Sequence, residues 1–257
     1  MTTPNVEYAP VPIAYSQLRE IKSSIVGQDY QVKIRLPENY TNTTDLYPVL
    51  YLLDGDHAFA MATDIVQYLI YGEHIPDLII VSPAYDSKLA SDEGGKNMRN
   101  RDLAPFPTPY TDETPGGVQY LEFLQEELIP FVESNYRVMP TDRTLWGYSF
   151  GGIFALYSLF QKPHLFQRYI IVDGFNEKYF EMEETYATQH TDLPIRLFVS
   201  APPGQWGTDL SKLFNILNGR NYINFHSEYA QLNDVGHFAV GAEGLTKGLV
   251  SVFSKIV

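Results

Sequence analysis

Cysteine is absent from the 257 residues of this chain, so disulfides, thiolate nucleophiles and cysteine-ligated zinc are excluded from the start. Positive charge is scarce. Eighteen Lys and Arg stand against 31 Asp and Glu, a formal net charge of -13. A surface of that sign repels phosphate backbones and anionic headgroups, which argues against nucleic acid and membranes as partners. No run approaches the ~18 consecutive apolar residues that a membrane span needs. The opening Met1-Thr2-Thr3-Pro4-Asn5-Val6-Glu7 carries neither a basic n-region nor an apolar h-region. No signal peptide is expected there, and a cytoplasmic setting fits a cysteine-free chain. Repeats, low-complexity tracts and a separating linker are also lacking, so residues 1–257 read as a single domain. With 44% hydrophobic residues, that domain can bury one sizeable core.

What is present alternates between strand and helix patterns. Ile21, Ser23 and Ile25 precede Gly27, and Tyr30, Val32, Ile34 and Leu36 follow with period two. This predicts an antiparallel hairpin with one buried face. Tyr47 to Leu53 and Leu78 to Val81 are continuous apolar runs, the pattern of strands buried on both faces. Ala58 to Tyr71 has helical spacing, and Gln119 to Val132 places Tyr120, Leu124, Leu128 and Phe131 on one stripe. Further strands are expected at Tyr169–Val172 and Ile195–Val199, helices at Leu210–Leu217 and Ala242–Val257, and an extended segment at Tyr222–Leu232. The order predicts a mostly parallel sheet covered by helices on both faces. Ser82 to Gly117 breaks the pattern with Gly94-Gly95, Pro105, Pro107, Pro109 and Pro115. A segment of this length without periodicity suits a loop that borders an active site.

Chemistry concentrates in Gly147-Tyr148-Ser149-Phe150-Gly151, a G-x-S-x-G string. The apolar Thr144-Leu145-Trp146 before it and the helical pattern Gly152–Phe160 after it place Ser149 on a sharp turn from strand to helix. There its hydroxyl stands exposed at the carboxyl end of a sheet, and the N–H of Phe150 points from the helix N-terminus toward a developing oxyanion. A serine hydroxyl needs a base, and the base needs an orienting carboxylate. Of six histidines, His74, His164 and His190 sit in polar connectors, and His226 lies inside an extended segment. His57 follows a strand end and could adjoin the pocket. His237, in Asn233-Asp234-Val235-Gly236-His237-Phe238, falls between the last strand and the last helix, where this strand–turn–helix chemistry places its base.

Four stretches carry a family resemblance: Tyr47 through Gly55, Arg101-Asp102-Leu103-Ala104-Pro105, Phe123 through Pro130, and Arg143 through Gly152. They resemble the putative esterase family, the esterase D and ferric enterobactin esterase branch of the α/β-hydrolases. The similarity runs from about Leu18 to the C-terminus. It implies an α/β-hydrolase fold that cleaves a small-molecule carboxylic ester through an acyl-serine, with no metal and no cofactor. Ser149 would be nucleophile and His237 base. The N–H groups of Phe150 and Asp56 would form the oxyanion hole, and the Arg101-Asp102 pair would face the substrate pocket, with Arg101 and Tyr148 as the candidate substrate-binding residues.

One departure stands out. The family places an acid just after the strand that here is Ile195–Val199, yet Ser200-Ala201-Pro202-Pro203-Gly204-Gln205-Trp206 holds no carboxylate. Asp173, which ends the preceding strand, is the preferred substitute, with Asp209 as the alternative. A triad is defined by geometry rather than by chain position. If neither serves, a scaffold that binds without turnover comes into view. Acyl transfer and thioester hydrolysis are the rivals within the same chemistry.

Overall fold

The computed structural model describes residues 9–85, 98–108 and 114–254. Eight strands form one sheet: β1 (Ser16–Ser23), β2 (Gln28–Arg35), β3 (Tyr47–Leu52), β4 (Ile79–Ala84), β5 (Val138–Tyr148), β6 (Arg168–Val172), β7 (Arg196–Ala201) and β8 (His226–Gln231), in the order β1-β2-β4-β3-β5-β6-β7-β8. The β1–β2 hairpin is antiparallel, and β2 joins β4 antiparallel. All pairings from β4 through β8 are parallel.

Period-two alternation divides the strand residues between two cores. Val49, Tyr51, Leu145, Tyr169, Ile171, Leu197 and Val199 face one layer, while Leu50, Leu52, Trp146, Ile170, Val172 and Phe198 face the other. Both sets are buried, which is why these strands read as unbroken apolar runs. On the second face lie α1 (Gly55–Tyr71) and the C-terminal helix (Val240–Phe253), through Phe59, Val66, Leu245 and Leu249 among others. Each such side chain removed from water contributes ~1.5–3 kcal/mol.

The first face carries α2 (Met98–Leu103), α3 (Gly117–Phe123), α4 (Ile129–Asn135), α5 (Phe150–Gln161), α6 (Lys178–Gln189) and α7 (Gln205–Gly219); the C-terminal helix is α8. A π turn at Leu124–Leu128 joins α3 to α4. Pro130 follows it, with no N–H to continue an α-helical ladder, so the chain widens where that bond would be lost.

The crossovers from the adjacent strands β3 and β5 run to opposite sides. α1 leads from β3 to β4 on one flank, and α5 leads from β5 to β6 on the other. The carboxyl ends of β3 and β5 thus bound the crevice of a topological switch point, where open α/β sheets bind ligands.

Two differences from the expected elements have physical causes. The helix Lys178–Gln189 has an apolar stripe of Tyr179, Met182 and Tyr186 that a carboxylate interrupts, so it stands out little in the sequence. Glu183 is buried between Tyr179 and Tyr186 and is held by Arg220 at 2.9 Å and by the Tyr222 hydroxyl at 3.0 Å. β5 begins at Val138, six residues before the apolar Thr144–Trp146, because Met139 to Thr141 are exposed. Of the expected loop Ser82–Gly117, residues 86–97 and 109–113 lie outside the described residues. Among the described residues, no helix is long and apolar enough to cross a membrane.

Candidate active site

β5 ends at Tyr148 and α5 begins at Phe150, so the whole reversal falls on Ser149. Its backbone is held at φ 57°, ψ -121°, a sparsely populated conformation that costs an L-residue ~1–3 kcal/mol. Three bonds impose it: the Ser149 N–H donates to the Val172 carbonyl at 2.9 Å, the Ile153 N–H donates to the Ser149 carbonyl at 3.0 Å, and the Asp173 N–H reaches the Ser200 carbonyl at 2.8 Å to hold the adjacent turn.

Glycine is required by close approach at two positions. A Cβ on Gly147 would stand 2.0 Å from the Gly151 carbonyl oxygen, and one on Gly174 would stand 2.1 Å from that of Ser149. Gly147→Ala is therefore expected to cost at least ~1–3 kcal/mol by overpacking. At this chain length each kcal/mol lowers Tm by ~2–4 °C, and an unchanged thermal melt would contradict the crossing.

His237 follows β8 and precedes α8. Its Nδ1 lies 2.6 Å from Oδ2 of Asp173, the residue directly after β6. Asp173 is buried, with φ 45°. An ionised carboxylate only accepts, so this pairing puts the imidazole proton on Nδ1 and leaves the Nε2 lone pair as base. Tyr148, at the end of β5, donates its hydroxyl to the His237 carbonyl oxygen at 2.5 Å. Burial first, and then the Asp173 charge, push the Tyr148 phenol up from its ordinary value, so it remains a neutral donor. The ring of Trp206 meets the imidazole edge-on at 5.7 Å, and that of Tyr148 lies tilted at 5.1 Å.

Ser149 and His237 line one cavity of about 620 Å³, together with Asp54, His57, Arg99 and Tyr148. No hydrogen bond joins the Ser149 hydroxyl to the imidazole in this conformation, among the described residues; the His237 ring is bonded to Asp173 alone. Catalytic contacts of this kind tighten in the substrate complex.

The remaining expected residues fall in different places. Tyr148 is at the cavity, and so is His57. Arg101 is not among its lining residues. Its guanidinium donates to Asp102 at 2.7 Å and to Gln28 of β2 at 2.8 Å. Asp102 is completely buried and accepts the Tyr30 hydroxyl at 2.6 Å. This pair anchors α2 to the sheet.

Arg99 takes the cavity position instead. Two residues along a helix turn a side chain by ~200°, so Arg99 and Arg101 leave α2 on opposite sides. Arg99 grips Asp54 through both Nε and Nη2, the latter at 2.9 Å, and lies 5.9 Å from the centre of the Phe150 ring. Burial acts against its charge, but the Asp54 carboxylate outweighs this and raises its pKa above the ordinary arginine value.

Asp56 stands in the first turn of α1, and its carboxylate accepts the Tyr85 N–H at 2.7 Å and Lys33 at 3.3 Å. From this turn Asp54, His57 and Ala58 line the cavity, and Asp56 does not. Asp209 lies on α7, bonded to Gln205 at 2.6 Å and Lys212 at 3.0 Å, and makes no bond with His237. Arg99 and Trp206 are residues of the site that no sequence motif marks. Arg99 was legible only as one of two arginines two apart, and Trp206 only as an aromatic in the loop that lacked the acid.

The comparisons with known proteins agree with this geometry. Residues 23–229 match the family described as "Putative esterase", and the chain belongs to that family. It is 29% identical over 170 residues to the ferri-bacillibactin esterase BesA of Bacillus subtilis (strain 168), covering 60% of this chain and 56% of that protein. It is also 29% identical over 171 residues to the siderophore triacetylfusarinine C esterase of Aspergillus fumigatus, covering 63% and 56%. The matches thus span little more than half of these curated relatives. Among solved structures, the BES protein from Bacillus cereus superposes with a TM-score of 0.83 at 24% identity, over 98% of this chain and 100% of that one. At that identity the likeness shows the fold.

Proposed function

We propose that this member of the putative esterase family is a serine carboxylic ester hydrolase, working as one α/β-hydrolase domain on a small-molecule ester. A single observation carries the reading. A histidine whose Nδ1 is bonded to a buried aspartate shares a cavity with a serine held at φ 57° on a strand-to-helix turn.

In this mechanism Ser149 Oγ attacks the ester carbonyl carbon while His237 Nε2 removes its proton. The carbonyl oxygen gathers the charge. The N–H of Phe150, at the start of α5, is our first oxyanion donor, and the α1 turn, whose Asp54, His57 and Ala58 line the cavity, is our source of the second. As the tetrahedral intermediate collapses, the imidazolium returns its proton to the departing alcohol. Water, deprotonated by the same Nε2, then cleaves the acyl-serine and releases the acid. Asp173 holds the ring and stabilises its charged form throughout.

The names of the relatives make siderophore esters reasonable substrates to assay. A cytoplasmic setting is part of this proposal and suits a chain without cysteine. The alternative of a binding protein without turnover rested on the absent family carboxylate, and Asp173 beside His237 removes that support.

The test is covalent. A fluorophosphonate probe should label the wild-type protein on Ser149 and leave Ser149→Ala unlabelled. An unlabelled wild-type protein, with p-nitrophenyl acetate left intact, would overturn the reading.

A further inference from the structure

We propose that this site selects esters carrying no negative charge, seating one apolar arm in each of two cavities lined by the successive residues Ser149 and Phe150. The inference rests on the ester-hydrolase reading above and names its substrate class.

The two cavities share no lining residue, but residues that line them are neighbours in the chain or in space. Ser149 and His237 line the larger, of about 620 Å³. Phe150, the next residue after the serine, and Trp206, packed against the His237 ring, line a second of about 250 Å³. In this proposal an ester carbonyl over Ser149 places one arm in the larger cavity and the other past Phe150 in the smaller. Phe106, Phe150, Ile153, Phe175 and Trp206 give the smaller cavity an apolar wall about one ring in extent. Met61, Trp146, Tyr148 and Phe238 do the same for the larger. Phe238 is 98% exposed at its mouth, an apolar side chain that an apolar substrate arm would cover.

Charge supplies the selection. Arg99 is the cation lining the larger cavity among the described residues, and Asp54 occupies it through two bonds. No lysine or arginine is among the described residues lining the smaller cavity, whereas Glu177 and Asp209 are. The nearby lysines are engaged: Lys212 with Asp209 at 3.0 Å, and Lys178 over the Phe106 ring at 4.5 Å. Residues 86–97 and 109–113 lie outside the described residues. Their composition is five carboxylates (Asp86, Asp92, Glu93, Asp112, Glu113) against two lysines (Lys88, Lys96), so they add negative charge wherever they sit. The chain as a whole carries -13. A substrate anion thus meets an unfavourable field on approach and finds no unengaged Lys or Arg among the described residues that line the cavities.

Three p-nitrophenyl 3-phenylpropanoates of matched shape test this, with methyl, carboxylate or aminomethyl at the para position of the phenyl ring. The carboxylate ester should show kcat/KM at least ~10-fold below the methyl ester. Added salt should narrow that gap, and Glu177→Lys should raise the carboxylate-to-methyl ratio several-fold. A carboxylate ester turned over as fast as the methyl ester, or faster, would overturn the proposal. So would a salt-independent gap, which would be steric. The matched 3-phenylpropanamides, titrated against Ser149→Ala, separate charge selection from turnover. If the methyl amide binds more tightly than the carboxylate amide while no ester is cleaved, charge selection stands and the hydrolase reading alone falls. The reverse order of binding sinks the charge selection whatever the turnover.

Discussion

Asp173→Asn should lower kcat for p-nitrophenyl acetate by ~10⁴, with KM little changed, because an amide in place of the carboxylate holds the wrong imidazole tautomer. The carboxylate sits 2.6 Å from His237 Nδ1 and fixes the proton there. An asparagine can present an N–H to that nitrogen, which then becomes the acceptor and turns the ring's remaining proton toward Ser149. The nucleophile would lose its base while the substrate cavities kept their shape, so the loss belongs in kcat. Asp209→Asn is the control. That carboxylate serves Gln205 and Lys212 on its own helix, and its replacement should cost less than ~10-fold. Steady-state kinetics of both variants, with far-UV circular dichroism to verify folding, decide the matter. Equal, small losses in the two would remove Asp173 from the mechanism.

Ser149→Ala should reduce the same activity by at least ~10³, about 4 kcal/mol of transition-state stabilisation. Without Oγ there is no acyl-enzyme, and only the oxyanion donors and substrate binding continue to act. The variant should fold normally. The strained turn is held by backbone bonds from Ser149 to Val172 and from Ile153 to Ser149, which alanine retains. Most of the wild-type rate surviving in a correctly folded Ser149→Ala protein would reassign the nucleophile.

The two outcomes bear on parts of the site that were unequally legible. Ser149 was readable because its requirements are local. The close crossing that demands Gly147 and the helix that follows both lie within a few residues of it. His237 was readable from its place between the last strand and the last helix. Asp173 was only one of two choices, since nothing local marks a turn residue after one strand as the partner of a histidine 64 positions later. Arg101 was singled out where Arg99 reaches the cavity, because the sequence does not say which side of a short helix faces the sheet.

Alone, the sequence determined the architecture and the candidate nucleophile: apolar runs that only a doubly covered sheet can bury, alternating with amphipathic helices, and one glycine-flanked serine between strand and helix. The tertiary structure decided what depends on neighbouring strands. The β6–β7 pairing sets the turn after β6, with the Asp173 N–H bonded to the Ser200 carbonyl, so that this carboxylate reaches His237. The packing of α2 on β2 commits Arg101 and Asp102 to the scaffold and Arg99 to Asp54. The placement of Trp206 against His237 sets a second cavity, lined by Trp206 and Phe150, beside the imidazole. Periodicity is a property of consecutive residues and survives in a linear string. Which distant side chains meet is settled by strand order and helix rotation, which the string encodes only through the folded core.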